Sequence, residues 1–184
     1  MTKRQTQREQ AIEALSAHLL STGLSQTSVR QLAGAAGISD RMLLYYFDDK
    51  TDIMTAVLQH IAADMAAKLG LVLPGTDPVS SGELFTKAAA ATGSKAMRPY
   101  MQLWIEIAAR AGQDEEPFNT ISSMIADGFL AWIESRLDLK DDAERKTQAA
   151  MILTMVDGLA LLRTFADETV VARAAQGFHD ALEG

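Results

Sequence analysis

The sequence contains no cysteine, which excludes disulfide bonds, thiol catalysis and metal sites built on thiolates. Only four of its 184 residues are proline and 6% are aromatic, a composition that suits a helical globular protein. No apolar run approaches the roughly 18 residues of a membrane span, and the N-terminal stretch MTKRQTQREQ lacks the apolar core of a signal peptide. We therefore expect a cytoplasmic protein.

Motifs for catalysis and cofactor binding are also missing. The sequence has no nucleophile elbow, phosphate loop, dinucleotide fingerprint or zinc motif. Its histidines, His18, His60 and His179, lie far apart without a partner at ligand spacing. The acidic pair Asp141 and Asp142 suits a helix N-terminus better than acid–base chemistry. The sequence thus predicts no enzyme, no cofactor and no metal.

Positive charge is scarce but unevenly placed. The whole chain has 17 lysines and arginines against 24 acidic residues, a net charge of −7. Residues 1–41 reverse this balance, with five basic residues against three acidic ones. This distribution fits a small head that contacts nucleic acid, attached to an acidic body that phosphate repels.

Residues 27–50, TSVRQLAGAAGISDRMLLYYFDDK, predict two short helices joined by a tight turn. Ser28 and Gln31 have the spacing of a capping box, and Gly37 suits the left-handed position that ends a helix. Ser39 can cap the second helix and Asp49 a further one. Two helices joined in this way form a helix-turn-helix, whose second helix can enter the DNA major groove.

An ordinary helical corner would show the same spacing, so the content of the second helix decides between the two interpretations. Arg41 and the adjacent Tyr45 and Tyr46 are unusual in so short a helix unless they form a contact surface. Arginine and tyrosine are common phosphate donors, and arginine can also bind guanine. DNA binding is therefore favoured.

These residues resemble the DNA-binding domain of the tetracycline-repressor-type (TetR) family of regulators. The resemblance covers about residues 5–65 and rests on four blocks in order: TSVRQLA at 27–33, GIS at 37–39, Leu43 with Tyr45-Tyr46-Phe47, and Lys50. Two positions depart from the family pattern. Met42 stands where a small hydroxyl residue is common, and Leu44 stands where a phosphate-contacting tyrosine is usual.

The resemblance implies a set of DNA contacts. Asp40, Arg41 and Tyr45 are expected nearest the base edges, and Arg30 is expected on a base or a phosphate. The full predicted DNA-binding set is Thr27, Ser28, Arg30, Ser39, Asp40, Arg41, Met42, Tyr45, Tyr46 and Lys50. For the basic residues Lys3, Arg4 and Arg8, two alternatives stay open: a frayed tail or an arm along the DNA.

Helical periodicity continues through the rest of the chain and predicts an all-α protein of about nine helices. We expect a first helix from Thr6 to about Thr22, and a fourth from about 50 to 69 that stops at Gly70. Further helices are expected at about 81–92, 97–111, 118–137, 141–165 and 168–182. We assign 1–50 to a helix-turn-helix domain, 51–69 to a connecting helix and 70–184 to a ligand-binding and dimerisation domain.

The body contains candidates for two further sites. Aromatic and methionine side chains that could line a ligand cavity, or only pack as core, are Met97, Tyr100, Met101, Trp104, Phe118, Met124, Phe129 and Trp132. Arg98, Glu106 and Arg110 could supply a polar anchor or form a solvated face. The helix at 141–165 is apolar around most of its circumference, so it suits either a central core position or a subunit interface. The resemblance favours an interface, to which we assign Ile152, Met155, Val156, Leu159, Leu162 and Phe178.

The sequence therefore predicts a ligand-responsive transcriptional regulator, most simply a repressor, that binds a palindromic DNA operator as a homodimer and responds to an unknown small molecule. A helical small-molecule-binding protein or enzyme with a vestigial helix-turn-helix is the first alternative, and it would show no salt-dependent DNA affinity. A purely architectural helical protein is the second, and it would have no ligand pocket and no preferred operator.

Overall fold

A computed structural model describes residues 2–72 and 77–183. Within these ranges the protein folds into nine α-helices and one 3₁₀ turn, Gly23–Ser25, and contains no β-strand beyond an isolated bridge. The helices are α1 Lys3–Thr22, α2 Val29–Ala35, α3 Asp40–Tyr46, α4 Lys50–Val72, α5 Ser81–Thr92, α6 Arg98–Ala111, α7 Phe118–Glu134, α8 Asp142–Leu162 and α9 Glu168–Glu183. The predicted all-α fold is confirmed. No helix in these ranges is both long and apolar enough to span a membrane.

The chain separates into two compact units. Unit 1 runs to Met65 and includes Gln102–Ile125, whereas unit 2 contains Ala66–Met101 and the chain from Ala126 onward. The divisions fall inside α4, α6 and α7. The boundary between the connecting helix and the ligand-binding domain, which we placed at residue 70, stays a prediction. Residues 73–76, just after it, lie outside the described ranges.

Unit 1 is built on the helix-turn-helix. The side chains of Leu15 and Leu19 on α1, Leu32 on α2 and Leu43 on α3 are completely buried, and Phe47 beyond α3 is 1% exposed. These residues recur at helical spacing, so each amphipathic helix contributes one stripe to a shared core. This core fixes the orientation of α3.

Unit 2 has its own core, in which α5 packs against both α8 and α9. Phe85 of α5 is buried there and meets the ring of Phe178 edge-on at 6.0 Å. After α7 the chain pairs with the segment before α5: the Val79 amide donates to the Arg136 carbonyl, and the Asp138 amide donates to the Val79 carbonyl, each at 2.9 Å.

Several predicted helix ends were wrong, for reasons visible in the backbone. α1 begins at Lys3, not Thr6, because Thr2 and Gln5 form a capping box before it. α4 continues through Gly70 to Val72, since Gly70 does not adopt the left-handed conformation that Gly23 and Gly37 adopt. α7 ends at Glu134, three residues early, because the following residues form the turn that pairs with Val79.

Ser80 and Glu83 have the sequence spacing of a capping box, but the box before α5 forms only in half. The Ser80 hydroxyl accepts the Glu83 amide at 3.2 Å, but the Glu83 carboxylate pairs with Lys87. Glu183 at the end of α9 binds the same helix start, accepting from the Ser80 hydroxyl at 2.5 Å and from the Gly82 amide at 3.0 Å. These bonds, with that of the Ser80 hydroxyl as the larger cause, hold the pKa of the Glu183 carboxyl below its ordinary value.

Candidate nucleic-acid interface

The turn between α2 and α3 forms as its sequence predicts. The Ser28 hydroxyl accepts the Gln31 amide at 3.3 Å and the Gln31 side chain accepts the Ser28 amide at 3.1 Å, so the capping box is complete. Gly37 has φ +68°, a left-handed value that glycine adopts without strain. The Ser39 hydroxyl then accepts the Met42 amide and starts α3. The turn therefore holds α2 and α3 in a fixed geometry.

α3 has a buried side and an exposed side. Leu43 is completely buried and Tyr46 is 6% exposed, so these residues fasten α3 to unit 1. The other five residues of α3 are exposed: Asp40, Arg41, Met42, Leu44 and Tyr45. Arg41, Leu44 and Tyr45 have i, i+3, i+4 spacing and point away from the buried side, because successive helical residues turn by about 100°. This outward face of α3 is free to contact a ligand as large as DNA.

Cations of α1 flank α3. The Arg4 guanidinium lies 4.9 Å from the centre of the Tyr45 ring and donates to the Tyr45 carbonyl at 3.0 Å. Arg8 lies over Phe47 at 4.6 Å and pairs with Asp52 at 3.6 Å. Both arginines belong to a capped helix, so neither lies in a frayed tail. Our predicted site set lacked Arg4, whose only signal was its place in a basic N-terminal segment.

Two predicted DNA contacts occupy positions inside the fold. The Tyr46 ring is buried and its hydroxyl donates to the Gln7 side chain at 2.8 Å, which gives Tyr46 a role in joining α3 to α1. Thr27 is 9% exposed, and its hydroxyl donates to the Leu24 carbonyl at 3.4 Å. The remaining members of the predicted set are exposed: Ser28, Arg30, Ser39, Asp40, Arg41, Met42, Tyr45 and Lys50.

Two charged residues of α6 contact the corner between α1 and α2. The Glu106 carboxylate accepts the Leu24 amide at 2.7 Å. It also occupies the space where a Cβ on Gly23 would lie, and Gly23 has φ +65°. Arg110 reaches the Leu24 carbonyl at 3.5 Å and pairs with Glu115 at 2.8 Å. We call Glu106 and Arg110 the α6 clamp, a contact that the sequence did not predict.

The predicted ligand-cavity residues belong to different units. Met97, Tyr100 and Met101 are buried in unit 2, and Phe118 is buried in unit 1 beneath Arg110. Trp104 is half-buried in unit 1, where Met124 is 44% exposed. Phe129 and Trp132 are half-buried in unit 2, with Arg136 lying 4.0 Å from the Trp132 ring centre.

The predicted interface residues of α8 divide between core and surface. Ile152 and Leu159 are completely buried and Val156 is 7% exposed, so all three pack inside unit 2. Met155, Leu162 and Phe178 are half-buried. An open groove of about 840 Å³, which we call the α8 groove, is lined by Lys146, Thr147, Ala150, Met151, Thr154, Met155, Gly158 and Phe178.

Comparison with known proteins agrees with this geometry. Residues 12–57 match the model of the bacterial regulatory proteins of the tetR family. The HTH-type transcriptional regulator PksA of Bacillus subtilis (strain 168) is 23% identical over 158 residues, covering 84% of this chain and 77% of PksA.

Solved structures share the fold along the whole chain. A TetR-family transcriptional regulator from Cytophaga hutchinsonii superimposes with a TM-score of 0.76 at 13% identity, covering 100% of this chain and 96% of that one. The multidrug binding protein EbrR complexed with proflavin superimposes with a TM-score of 0.63 at 23% identity, covering 94% of this chain and 99% of that one. The helix-turn-helix domain of this chain, over residues 12–57, therefore belongs to the tetR family of bacterial regulatory proteins.

Proposed function

We propose that this TetR-family regulator is a ligand-responsive repressor that binds a palindromic operator as a homodimer. The observation that carries the proposal is the outward face of α3, where Arg41, Leu44 and Tyr45 are exposed on a helix whose other side is locked into the core. A recognition helix must be held rigidly in this way, since base discrimination depends on the placement of each side chain.

Two exposed charged groups of α3 have matching partners in the major groove. Arg41 can donate two hydrogen bonds to O6 and N7 of guanine, and Asp40 can accept from N4 of cytosine. Arg4 lies beside Tyr45 and adds a cation at the edge of the same face. Ser28, Arg30 and Lys50 are exposed around the unit, where they could bind phosphates and fix the register on the DNA.

The net charge of the chain supports the proposed dimer. The chain carries −7 overall, so most of its surface repels DNA, and one helix-turn-helix offers few cations. Two copies related by a twofold axis would double the phosphate contacts. They would also place the two α3 helices about 34–36 Å apart, or a multiple of that distance, which matches inverted half-sites on one side of the duplex.

The α8 groove is our proposed dimer surface. Its lining is mainly apolar. Leu161 in the last turn of α8 and Phe165 in the turn after it are also apolar, with exposures of 49% and 73%. A Cβ at Gly158 would meet no atom within 4 Å, so packing within the chain does not require glycine there. Glycine in a helix costs about 1 kcal/mol relative to alanine, and close approach of a second helix would offset that cost.

Ligand response is supported by the fold neighbour EbrR, a multidrug binding protein complexed with proflavin. Aromatic rings, which suit cavities for apolar ligands, are concentrated on α6 and α7 of this chain, where Met101 and Met124 add adaptable side chains. We propose that the effector contacts some of the predicted cavity residues and favours a conformation that does not fit the operator. A tenfold loss of operator affinity would require the effector to bind the two states with free energies about 1.4 kcal/mol apart.

Control of transcription also requires access to the chromosome, which supports a cytoplasmic location.

DNA binding is tested by selecting bound sequences from a random duplex pool. We expect an inverted repeat whose affinity falls steeply with salt, because each neutralised phosphate releases counterions. A folded dimer that enriches no sequence, both as purified and after unfolding and refolding to remove any carried ligand, would contradict the proposal and favour a binding protein with a vestigial helix-turn-helix.

Effector binding is tested with proflavin as a probe. Titration of the protein into proflavin should change the fluorescence of the dye in a saturable manner, and bound proflavin should lower the affinity for the selected operator. Saturable binding without any change in operator affinity would argue against ligand response by this compound class.

A further inference from the structure

Leu44 is a large aliphatic side chain exposed on the outward face of α3. It is 47% exposed, whereas the adjacent Leu43 is completely buried. Leu44 lies three residues after Arg41, so the two side chains are neighbours on the helix surface. A leucine at this position contributes little to the core of unit 1, and packing therefore does not explain its presence.

Leucine also cannot perform the polar task that the family pattern implies at this position. Its side chain has no hydrogen-bond donor or acceptor, so it cannot bind a phosphate as a tyrosine would. The bases display one prominent apolar group in the major groove, the 5-methyl group of thymine. The cations Arg41 and Arg4 lie on or beside the same face and favour DNA as the partner of this apolar side chain.

We propose that Leu44 is a specificity-determining residue that packs against a thymine 5-methyl group in each operator half-site, next to the base contacted by Arg41. This inference rests on the proposed DNA binding and goes beyond it, because it states which base the apolar position selects. Cytosine lacks the methyl group, so Leu44 would disfavour a C·G pair where thymine is required.

Deoxyuridine provides a direct test, since it differs from thymidine only by the missing methyl group and pairs identically. In the selected operator, each symmetry-related pair of thymines is replaced by deoxyuridine, one pair at a time, and the dissociation constant is measured. For the wild type we expect one pair whose replacement weakens binding about fourfold for each methyl group lost. The other thymines should show a smaller effect.

The same duplexes are then measured with protein variants. For Leu44→Ala, replacing the sensitive thymine pair by deoxyuridine should not change the dissociation constant, because the leucine side chain that contacts the methyl group is gone. Leu44→Met keeps an apolar side chain and should retain the sensitivity. Leu71→Ala is the matched control, since Leu71 is 81% exposed and lies in unit 2, outside the helix-turn-helix. Circular dichroism verifies that each variant is folded.

The outcomes separate this inference from the proposed function. The role of Leu44 is supported if one thymine pair is sensitive to deoxyuridine in every protein except Leu44→Ala. An operator without any deoxyuridine-sensitive pair, or a sensitivity unchanged in Leu44→Ala, overturns the role of Leu44 and leaves sequence-specific DNA binding intact. Failure to select any operator overturns both.

Discussion

The contact between the α6 clamp and the α1–α2 corner gives a quantitative prediction about stability. Glu106 and Gly23 are 83 positions apart in sequence, yet the Glu106 carboxylate fills the space beside Gly23 and accepts the Leu24 amide at 2.7 Å. We consider Glu106→Ala, Gly23→Ala and the double variant. The geometry predicts that their effects on the free energy of unfolding are strongly non-additive.

The magnitudes follow from two separate terms. Glu106→Ala removes a hydrogen bond to a charged acceptor, a loss of about 1–2 kcal/mol given that Glu106 remains largely exposed. Gly23 has φ 65° and ψ −156°, a region almost restricted to glycine, so alanine there costs about 1–3 kcal/mol in backbone strain. The new Cβ would also displace the carboxylate, so Gly23→Ala loses the hydrogen bond as well. The double variant should therefore be as stable as Gly23→Ala alone.

Urea denaturation followed by fluorescence can measure this cycle. The chain has two tryptophans, Trp104 in unit 1 and Trp132 in unit 2. In a Trp132→Phe background, the signal comes from Trp104, which lies in the unit that contains the clamp. Glu9→Ala, which removes an exposed carboxylate of α1 in the same unit, controls for the change in charge.

We expect a coupling free energy of about 1–2 kcal/mol, within the range found for residues in contact. Additive effects within about 0.3–0.5 kcal/mol would show that Glu106 and Gly23 do not interact in solution and would refute this account of the corner. A Gly23→Ala variant that is as stable as the parent would separately refute the predicted backbone strain of alanine at position 23.

Three further predictions follow from the site, the α8 groove and the α5 cap. Arg41→Ala should weaken binding to the selected operator by about 1–3 kcal/mol by fluorescence anisotropy, and unchanged affinity would remove Arg41 from base contact. Thr154→Glu should produce folded monomers when its mass is measured by sedimentation. The control Ser123→Glu, at an exposed position of unit 1, should remain dimeric. If Thr154→Glu also remains dimeric, the interface lies elsewhere. Glu183→Gln should lower the urea midpoint at neutral pH. Because the folded pKa of Glu183 lies below its ordinary 4.5, the carboxylate stabilises the fold above that pH, so the difference should shrink as pH falls below it. A difference independent of pH would contradict this.

The conformations that the sequence predicted correctly are those that a few neighbouring residues decide. The caps at Ser28, Ser39 and Asp49 and the left-handed Gly37 each depend on a few neighbouring residues, and all form as predicted. Gly70 shows the limit of the same reasoning. A glycine permits a helix to end but does not require it, and α4 continues beyond Gly70 through Leu71 and Val72.

The adjacent tyrosines of α3 show a second limit. Tyr45 and Tyr46 have the same chemistry, and both were predicted to contact DNA. One helical step of about 100° separates them, so packing against α1 buries Tyr46 beside Gln7 and leaves Tyr45 58% exposed beside Arg4. The assignment of one to the core and the other to the surface requires the position of α1.

The sequence by itself thus determined the helix-turn-helix, the all-α class and the charge contrast between head and body, because each follows from residues close together in the chain or from composition. Tertiary structure alone decided which face of α8 is buried. That helix is apolar around most of its circumference, so periodicity gives no preferred direction. Packing against α5 and α9 buries Ile152 and Leu159, and the side with Thr154 and Gly158 is left open. The choice depends on contacts with helices that are distant in sequence, and no local pattern in α8 contains that information.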